Sequence, residues 1–425
     1  MKHNPISSDF FVRNRAKVLN EMPNASLLVL YGNPNFYFNP STHFPFRQLP
    51  DFYYLTGINY PDCALIIYKE SSDNSTQILA IPEVTEFKRQ WDSDLLEESV
   101  ANTLSGIDSV AFIHNIKDVL LELQNKIELL FVYKLKQNDR HPGIFFHSRK
   151  AAFIGRMFPN IKKSGINDII HKLRMVKEEE EILRIQNAIE ITAEALNYCL
   201  SKLDKYSTEK QFELDLYNAF LENGADGHAF DPIIASAGNA TILHYISNAN
   251  KIVKGQLLLA DIGARIFQYN ADITRVVPFV SITSRQKEVF NAVFRVYNSS
   301  LNEITLGMTL VDVNKLVASY IQDELLSLGL ITQKEICDQK ASMPAYRKYY
   351  MHSASHFLGL EVHDVGARDL PLQENMVITL EPGIYIKEEN IGIRLENDLL
   401  ITNKGAKELS SEIPMHWEDL MDWAK

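Results

Sequence analysis

Four acidic residues stand where buried strands should be apolar, and they constrain this chain more than any other feature. The segment LLLADIG places Asp261 at the end of a four-residue apolar run, and NADITRVV places Asp272 in the strand that follows, eleven residues later. Glu381 comes directly after the apolar strand Met376 to Leu380 in TLEPG, and GIRLEND sets Glu396 inside another strand, fifteen residues on. Side chains alternate along a strand with period two, so a returning strand at each pair can turn both carboxylates to one face. A single strand-borne acid is an ordinary turn, edge or salt-bridge residue. Four of them are harder to explain, because burying that much like charge without compensation costs several kcal/mol per ion or forces protonation.

Histidines lie between the pairs: HSASHFLG supplies His352 and His356, and EVHDVG supplies His363. Two divalent cations would set four positive charges against the four carboxylates. Oxygen ligands with one imidazole suit Mn²⁺, Co²⁺, Fe²⁺ or Zn²⁺. The three cysteines, Cys63, Cys199 and Cys337, are widely spaced with no CxxC pair. That excludes a Cys-rich zinc site and a disulfide scaffold, and it fits buried free thiols in a reducing compartment. Two such ions bridged by carboxylate would share a water and deprotonate it near neutral pH. On its residues alone the chain reads as a two-metal hydrolase or a phosphoryl-transfer enzyme, and the second option lacks a Gly-rich phosphate loop.

At 425 residues the length suggests two or three domains, and 46% hydrophobic with 23% charged residues is ordinary for a globular core. A net charge of −11 gives an acidic surface that repels phosphate backbones, which excludes nucleic acid as the main partner. No apolar run reaches the ~18 residues a membrane span needs. The N-terminal MKHNPISSDFFVRNRAKVL has no signal-type apolar region, so a cytoplasmic location without membrane association is expected.

The first segment predicts mixed α/β structure: a helix from Ser8 or Asp9 through Glu21, a buried strand ASLLVLY, a loop over Asn33 to Phe46, then the strands CALIIY, QILAIP and LLFVYKL. The pattern changes between Lys163 and Arg174, and residues 1–168 and 169–425 are taken as the two domains. From Met175 a charged helix runs to Leu200, with Glu178 to Glu181 as its solvated first turns. Capping boxes at Thr208/Gln211 and Thr283/Gln286 open two further helices. A succession of helix, helix and strands occurs twice, which predicts a duplicated α+β domain with its active centre where the two β-units meet.

These motifs resemble the pita-bread metallopeptidases, and among them the aminopeptidase P (Xaa-Pro aminopeptidase) family. FPFRQLPDFYYLTG resembles the signature of that family's N-terminal domain, and SAGNATILHY, ADIG, ADITR, HSASHFLGLEVHDVG, LEPGIYI and GIRLEND follow in family order. The resemblance implies an α/β N-terminal domain followed by an α+β pita-bread catalytic domain. It also implies hydrolysis of the bond between an N-terminal residue and a following proline, by hydroxide bridging two divalent metals, Mn²⁺ first among the candidates. Matched residue by residue, Asp261, Asp272, His356, Glu381 and Glu396 correspond to the five metal ligands. Asp272 and Glu396 would contact both ions, Asp261 the first, and His356 and Glu381 the second. Glu381 would also carry a proton to the leaving nitrogen. His244 would support the tetrahedral intermediate and His363 would hydrogen-bond the substrate. His352, Tyr385 and Arg394 would line the proline pocket.

Without that resemblance, His352 reads as a structural histidine, His244 as a surface one, Tyr385 as a packed aromatic and Arg394 as a salt-bridge partner of Glu396. Three positions depart from the family pattern: Ser353 where glycine is usual, Asn397 where a second acid is common, and Phe230 where tyrosine is frequent. Arg368 is the candidate for a family arginine that senses longer substrates. The rival readings are prolidase, a dipeptidase with the same ligands, and a non-catalytic pita-bread binding module, which would have lost ligands. The family's N-terminal domain mediates self-association, which implies a homodimer or homotetramer, with Trp91 the candidate to reach a neighbouring subunit.

Overall fold

A computed structural model describes residues 4–134 and 143–424. The chain divides into two compact units, Pro5–Arg174 and Met175 onward.

The first unit is built on a six-stranded sheet. Helix α1 (Ser8–Glu21) starts where the Ser7 hydroxyl accepts from the Asp9 N–H, and it buries Phe10, Phe11 and Val18. The strands are β1 (Ser26–Tyr31), β2 (Ala64–Lys69), β3 (Ser75–Ile81), β4 (Val110–Phe112), β5 (Leu129–Val132) and β6 (Lys162–Gly165), in the order β4-β3-β2-β1-β5-β6. Only β2 runs against the others: it pairs antiparallel with β1 and β3, while β1–β5, β5–β6 and β3–β4 are parallel. A strand covered on both faces reads as a continuous apolar run, and β1 is buried at every position. The expected loop over Asn33 to Phe46 contains a short exposed hairpin, Tyr37–Asn39 with Thr42–His43, across which the Phe38 and Phe44 rings stack 3.5 Å apart.

Helix α2 (Asn167–Met175) crosses the 168/169 division expected from sequence. Its last turn belongs to the first unit because Asp51, fully buried, takes Arg174 Nη1 at 2.6 Å and His171 Nε2 at 3.0 Å. The break between the units therefore follows Arg174.

The second unit repeats one plan. Helices α3 (Glu179–Leu200) and α4 (Glu209–Glu222) precede the antiparallel strands β7 (Ile233–Ser236), β8 (Leu257–Ile262) and β9 (Ile273–Pro278). Helices α5 (Ser284–Glu303) and α6 (Leu310–Ser327) precede β10 (Val377–Leu380), the hairpin β11 (Gly383–Ile386) with β12 (Ile391–Arg394), and β13 (Asn397–Thr402), which pairs with β10. Reciprocal capping boxes start α4 at Thr208/Gln211 and α5 at Thr283/Gln286. Val289, Phe290 and Val293 of α5 pack with Val313, Val317 and Ile321 of α6 against Ile378, Leu380 and Ile393. Each such buried side chain contributes about 1.5–3 kcal/mol. The two β-groups meet at an antiparallel bridge between Thr274 and Glu396.

The acidic run opening α3 is not wholly solvated. Glu178 is the N-cap, whereas Glu181 turns inward, takes the Tyr269 hydroxyl at 3.0 Å and has its carboxyl pushed up to about 7 by burial.

Candidate metal centre

Strand register places the first carboxylate pair. Asp261 on β8 lies opposite Thr274 on β9, and Asp272 precedes β9 by one residue, so the two acids share a face with an offset of one pleat. The turn side of this pair needs a glycine: a Cβ on Gly263 would lie 1.9 Å from the Ala271 carbonyl oxygen. Glu396 reaches the same place from the other β-group. Its N–H donates to the Thr274 carbonyl at 3.2 Å, and its Oε2 accepts from the Thr274 hydroxyl at 2.6 Å.

His356 and Glu381 arrive together because the segment carrying the histidine straps onto β10. The Thr379 N–H donates to the His356 carbonyl (2.9 Å), the Glu381 N–H donates to Ala354 (2.9 Å), and the Thr379 hydroxyl accepts from the His356 N–H (3.2 Å). His356 Nε2 then lies 3.3 Å from Asp272 Oδ2 and 3.7 Å from Glu381 Oε1. Its Nδ1 lies 3.0 Å from the Phe357 carbonyl, which can only accept, so Nδ1 carries a proton and Nε2 is the nitrogen that can offer a lone pair to a cation. Asp272, His356 and Glu396 present ligand atoms all within 4.8 Å of one another.

Asp261 is tied differently. The Arg394 guanidinium donates to its Oδ2, to the Tyr385 hydroxyl at 3.0 Å and to the Thr274 hydroxyl at 3.2 Å. Arg394 is thus the ion-pair partner of Asp261 and not of Glu396. Tyr385 also meets His352 Nε2 at 2.7 Å, and the other ring nitrogen of His352 lies 2.7 Å from the Ser353 carbonyl. Burial, then the charge of Arg394, pushes His352 down to about 3, so a neutral ring accepts from Tyr385.

Electrostatics set this cluster apart from a structural network. Burial first, and then the neighbouring carboxylates, pushes Asp272, Glu381 and Glu396 well above the usual carboxylate range. Asp261 Oδ1 is buried without a hydrogen-bond partner among the described residues. An unpaired acceptor amid repelling carboxylates and one lone-pair imidazole nitrogen is what a divalent cation would satisfy. Among the described residues, no cysteine joins the cluster: Cys63 and Cys199 are buried elsewhere and Cys337 is exposed.

The remaining predicted residues surround this core. His363 sets its ring edge-on to His356 at 4.4 Å. His244 is exposed, and burial, then the neighbouring His356, pushes His363 down to about 4. Ser353 accepts from Arg368 at 2.7 Å. Asn397 is held by Arg275 and donates to Glu408 Oε1 at 2.6 Å. Three residues escaped the sequence reading. Thr274 joins Glu396 to Arg394 through one hydroxyl. Arg275, fully buried, donates to the Glu396 carbonyl at 2.7 Å and to the Ile413 carbonyl at 2.8 Å. Asp398 accepts from the Asp272 N–H at 3.1 Å. Asp398 carried a signal, being an acid two positions beyond Glu396, inside β13.

Residues 184–403, more than half of the chain, match the model of metallopeptidase family M24. The chain belongs to that family. Residues 11–131 match the aminopeptidase P N-terminal domain, so this M24 member is a metallo-exopeptidase with an α/β N-terminal domain ahead of a pita-bread domain. It is similar to the Xaa-Pro aminopeptidase of Escherichia coli, at 28% identity over 98% of this chain and 97% of that protein. It is also similar to human Xaa-Pro aminopeptidase 3, at 29% identity over 92% of this chain and 80% of that protein. The structure of E. coli aminopeptidase P with the inhibitor Pro-Leu superposes with a TM-score of 0.88 at 27% identity, covering 99% of each chain. Family and donor set together make this a site for divalent metal. No helix among the described residues is long and apolar enough to cross a membrane.

Proposed function

We propose that the chain releases the N-terminal residue from peptides whose second residue is proline, using two divalent ions of which Mn²⁺ is the first candidate. The observation that carries this reading is the set of buried Asp261, Asp272 and Glu396 with half-buried His356 and Glu381, in which like charges repel until cations join them. Asp272 and Glu396 would hold both ions, Asp261 the first, and His356 with Glu381 the second. When bound, such a pair supplies Lewis acidity and a water deprotonated near neutral pH.

The protein's own groups orient the substrate and move the proton. A bond preceding proline has no N–H and carries a rigid ring, so the site must accept shape where other peptidases use a hydrogen bond. His352, Tyr385 and Arg394 form a hydrogen-bonded row that fits a wall for that ring. Glu381 would pass a proton to the leaving proline nitrogen, a role supported by its position 3.7 Å from His356 and 3.4 Å from His352. His244 and His363 are donors for the developing oxyanion and the substrate backbone. The acidic cluster draws the free α-ammonium group, which restricts cleavage to the first residue. Trp91, exposed beside Phe87, suits self-association into a homodimer or homotetramer in the cytoplasm.

The test is hydrolysis, with added Mn²⁺, of a tripeptide Xaa-Pro-Yaa beside the dipeptide Xaa-Pro. Fast release from the tripeptide with a slow dipeptide supports the reading. Dipeptide-only cleavage would make the enzyme a prolidase, and no turnover of either would point to a binding module.

A further inference from the structure

A buried ion pair underlies the loop that carries His363. The side chains of Lys177 and Asp364 are each only 1% exposed, and Lys177 Nζ lies 3.0 Å from Asp364 Oδ2. Lys177 sits just ahead of α3, where its N–H donates to the Asn375 carbonyl at 2.9 Å and its Nζ reaches the Met175 carbonyl at 3.4 Å. Asp364 is the residue after His363. The 357–364 loop that carries His363 is closed at its base by the Asp364 N–H donating to the Phe357 carbonyl at 2.8 Å. Asn270 clamps it with both its N–H and its Nδ2 on the Gly359 carbonyl, at 3.1 and 2.9 Å. Gly359 leaves the pair no slack: a Cβ there would lie 2.3 Å from Asp364 Oδ2 and 3.0 Å from Lys177 Cε. With Asp364 drawn inward, the neighbouring His363 is exposed, its ring edge-on to His356.

We infer that Lys177 and Asp364 are positioning residues which hold His363 at the metal centre; the inference rests on the role proposed for His363. A buried ion pair is rarely justified by stability, since well-packed apolar side chains of similar volume serve as well. What this pair provides is direction. It fixes one oxygen of the residue next to His363, and so fixes where that ring can reach.

The test measures kcat and KM on a Xaa-Pro-Yaa peptide for the wild type, K177M, H363A and the double variant. K177M is expected to lower kcat about tenfold or more, as misplacement of a reacting group does, with KM and metal content unchanged. In the H363A background the same substitution should have almost no further effect, because the group it positions is gone. Wild-type kcat in K177M, or an equal loss in both backgrounds, overturns the inference. D364N keeps the side-chain volume and lets the buried lysine become neutral, so it supplies the same comparison should K177M not fold. A second readout needs no metal and no turnover. Hydrogen exchange over 357–366 in the metal-free protein should quicken in both variants while β10 keeps its protection; unchanged exchange there overturns the anchoring. If H363A alone retains wild-type kcat, the assignment of His363 falls, and exchange still decides the anchoring.

Discussion

Two buried acidic sites, one in each unit, show what burial does with and without matched charge. Asp51 in the first unit is fully buried, and burial alone would push its carboxyl up. The Arg174 guanidinium and the His171 ring outweigh that and hold it down at about 2. In the second unit, burial raises Asp272, Glu381 and Glu396 and the neighbouring carboxylates raise them further, while Arg394 opposes without outweighing them. Burial acts in the same direction in both places. The difference is the charge balance: a self-sufficient network is structural, and an unbalanced one is completed from outside the chain.

Breaking the unbalanced site should have the largest effect. Asp272→Ala is expected to reduce peptide turnover on the order of 10³-fold or more, together with metal content, because it removes a ligand and a source of charge. The metal-free variant should melt no lower than the metal-free wild type, since a repelling carboxylate has gone. Full turnover in this variant would refute the ligand assignment. Asp51→Ala should do the opposite, destabilising the protein by about 3–5 kcal/mol by stranding Arg174, with metal content unaffected. Denaturant melts of both variants would show whether the two sites differ in sign as well as in role.

Metal itself should sharpen the contrast. A divalent ion at one hundred times its Kd should stabilise the protein by about 2.7 kcal/mol, read as a rise in Tm that chelator reverses. That rise should vanish in Asp272→Ala and persist in Asp51→Ala.

Acid should separate the sites as well. The Asp51 carboxyl is lower in the folded state than in the unfolded chain, so its contribution of about 2 kcal/mol is complete above its unfolded pKa and fades as the pH falls through about 2. The site carboxylates are raised in the folded state, so in the metal-free protein they weaken the fold at neutral pH and that cost lessens on mild acidification. Metal-free protein should therefore be more stable near pH 5 than at pH 7, and the gain should shrink in Asp272→Ala. A flat profile between those pH values would refute the charge argument. The smallest effect belongs to neither site: Thr283→Ala removes the cap of α5 and should cost about 1 kcal/mol without changing turnover.

Much of this was legible in the linear chain, and for identifiable reasons. Asp261, Asp272, Glu381 and Glu396 stood out because an acid in an apolar strand breaks a local pattern. The caps of α4 and α5 were legible because both halves of each box lie three residues apart. The burial of Glu181 was not, since its partner Tyr269 is 88 residues away. Thr274 looked like any strand threonine until Glu396 and Arg394 arrived from the other β-group. The division after Arg174 depended on Asp51, which an inspection of the junction alone does not reach.

The sequence by itself determined the elements, the duplicated plan and the identity of the acids, because periodicity and capping act over a few residues and need no partner. Only the tertiary structure decided who pairs with whom: Arg394 with Asp261 across 133 positions, Lys177 with Asp364 across 187, and Thr274 with Glu396 across 122. The physical reason is that a charge is placed by its side chain but balanced by its neighbours, and the neighbours are chosen when the sheets close.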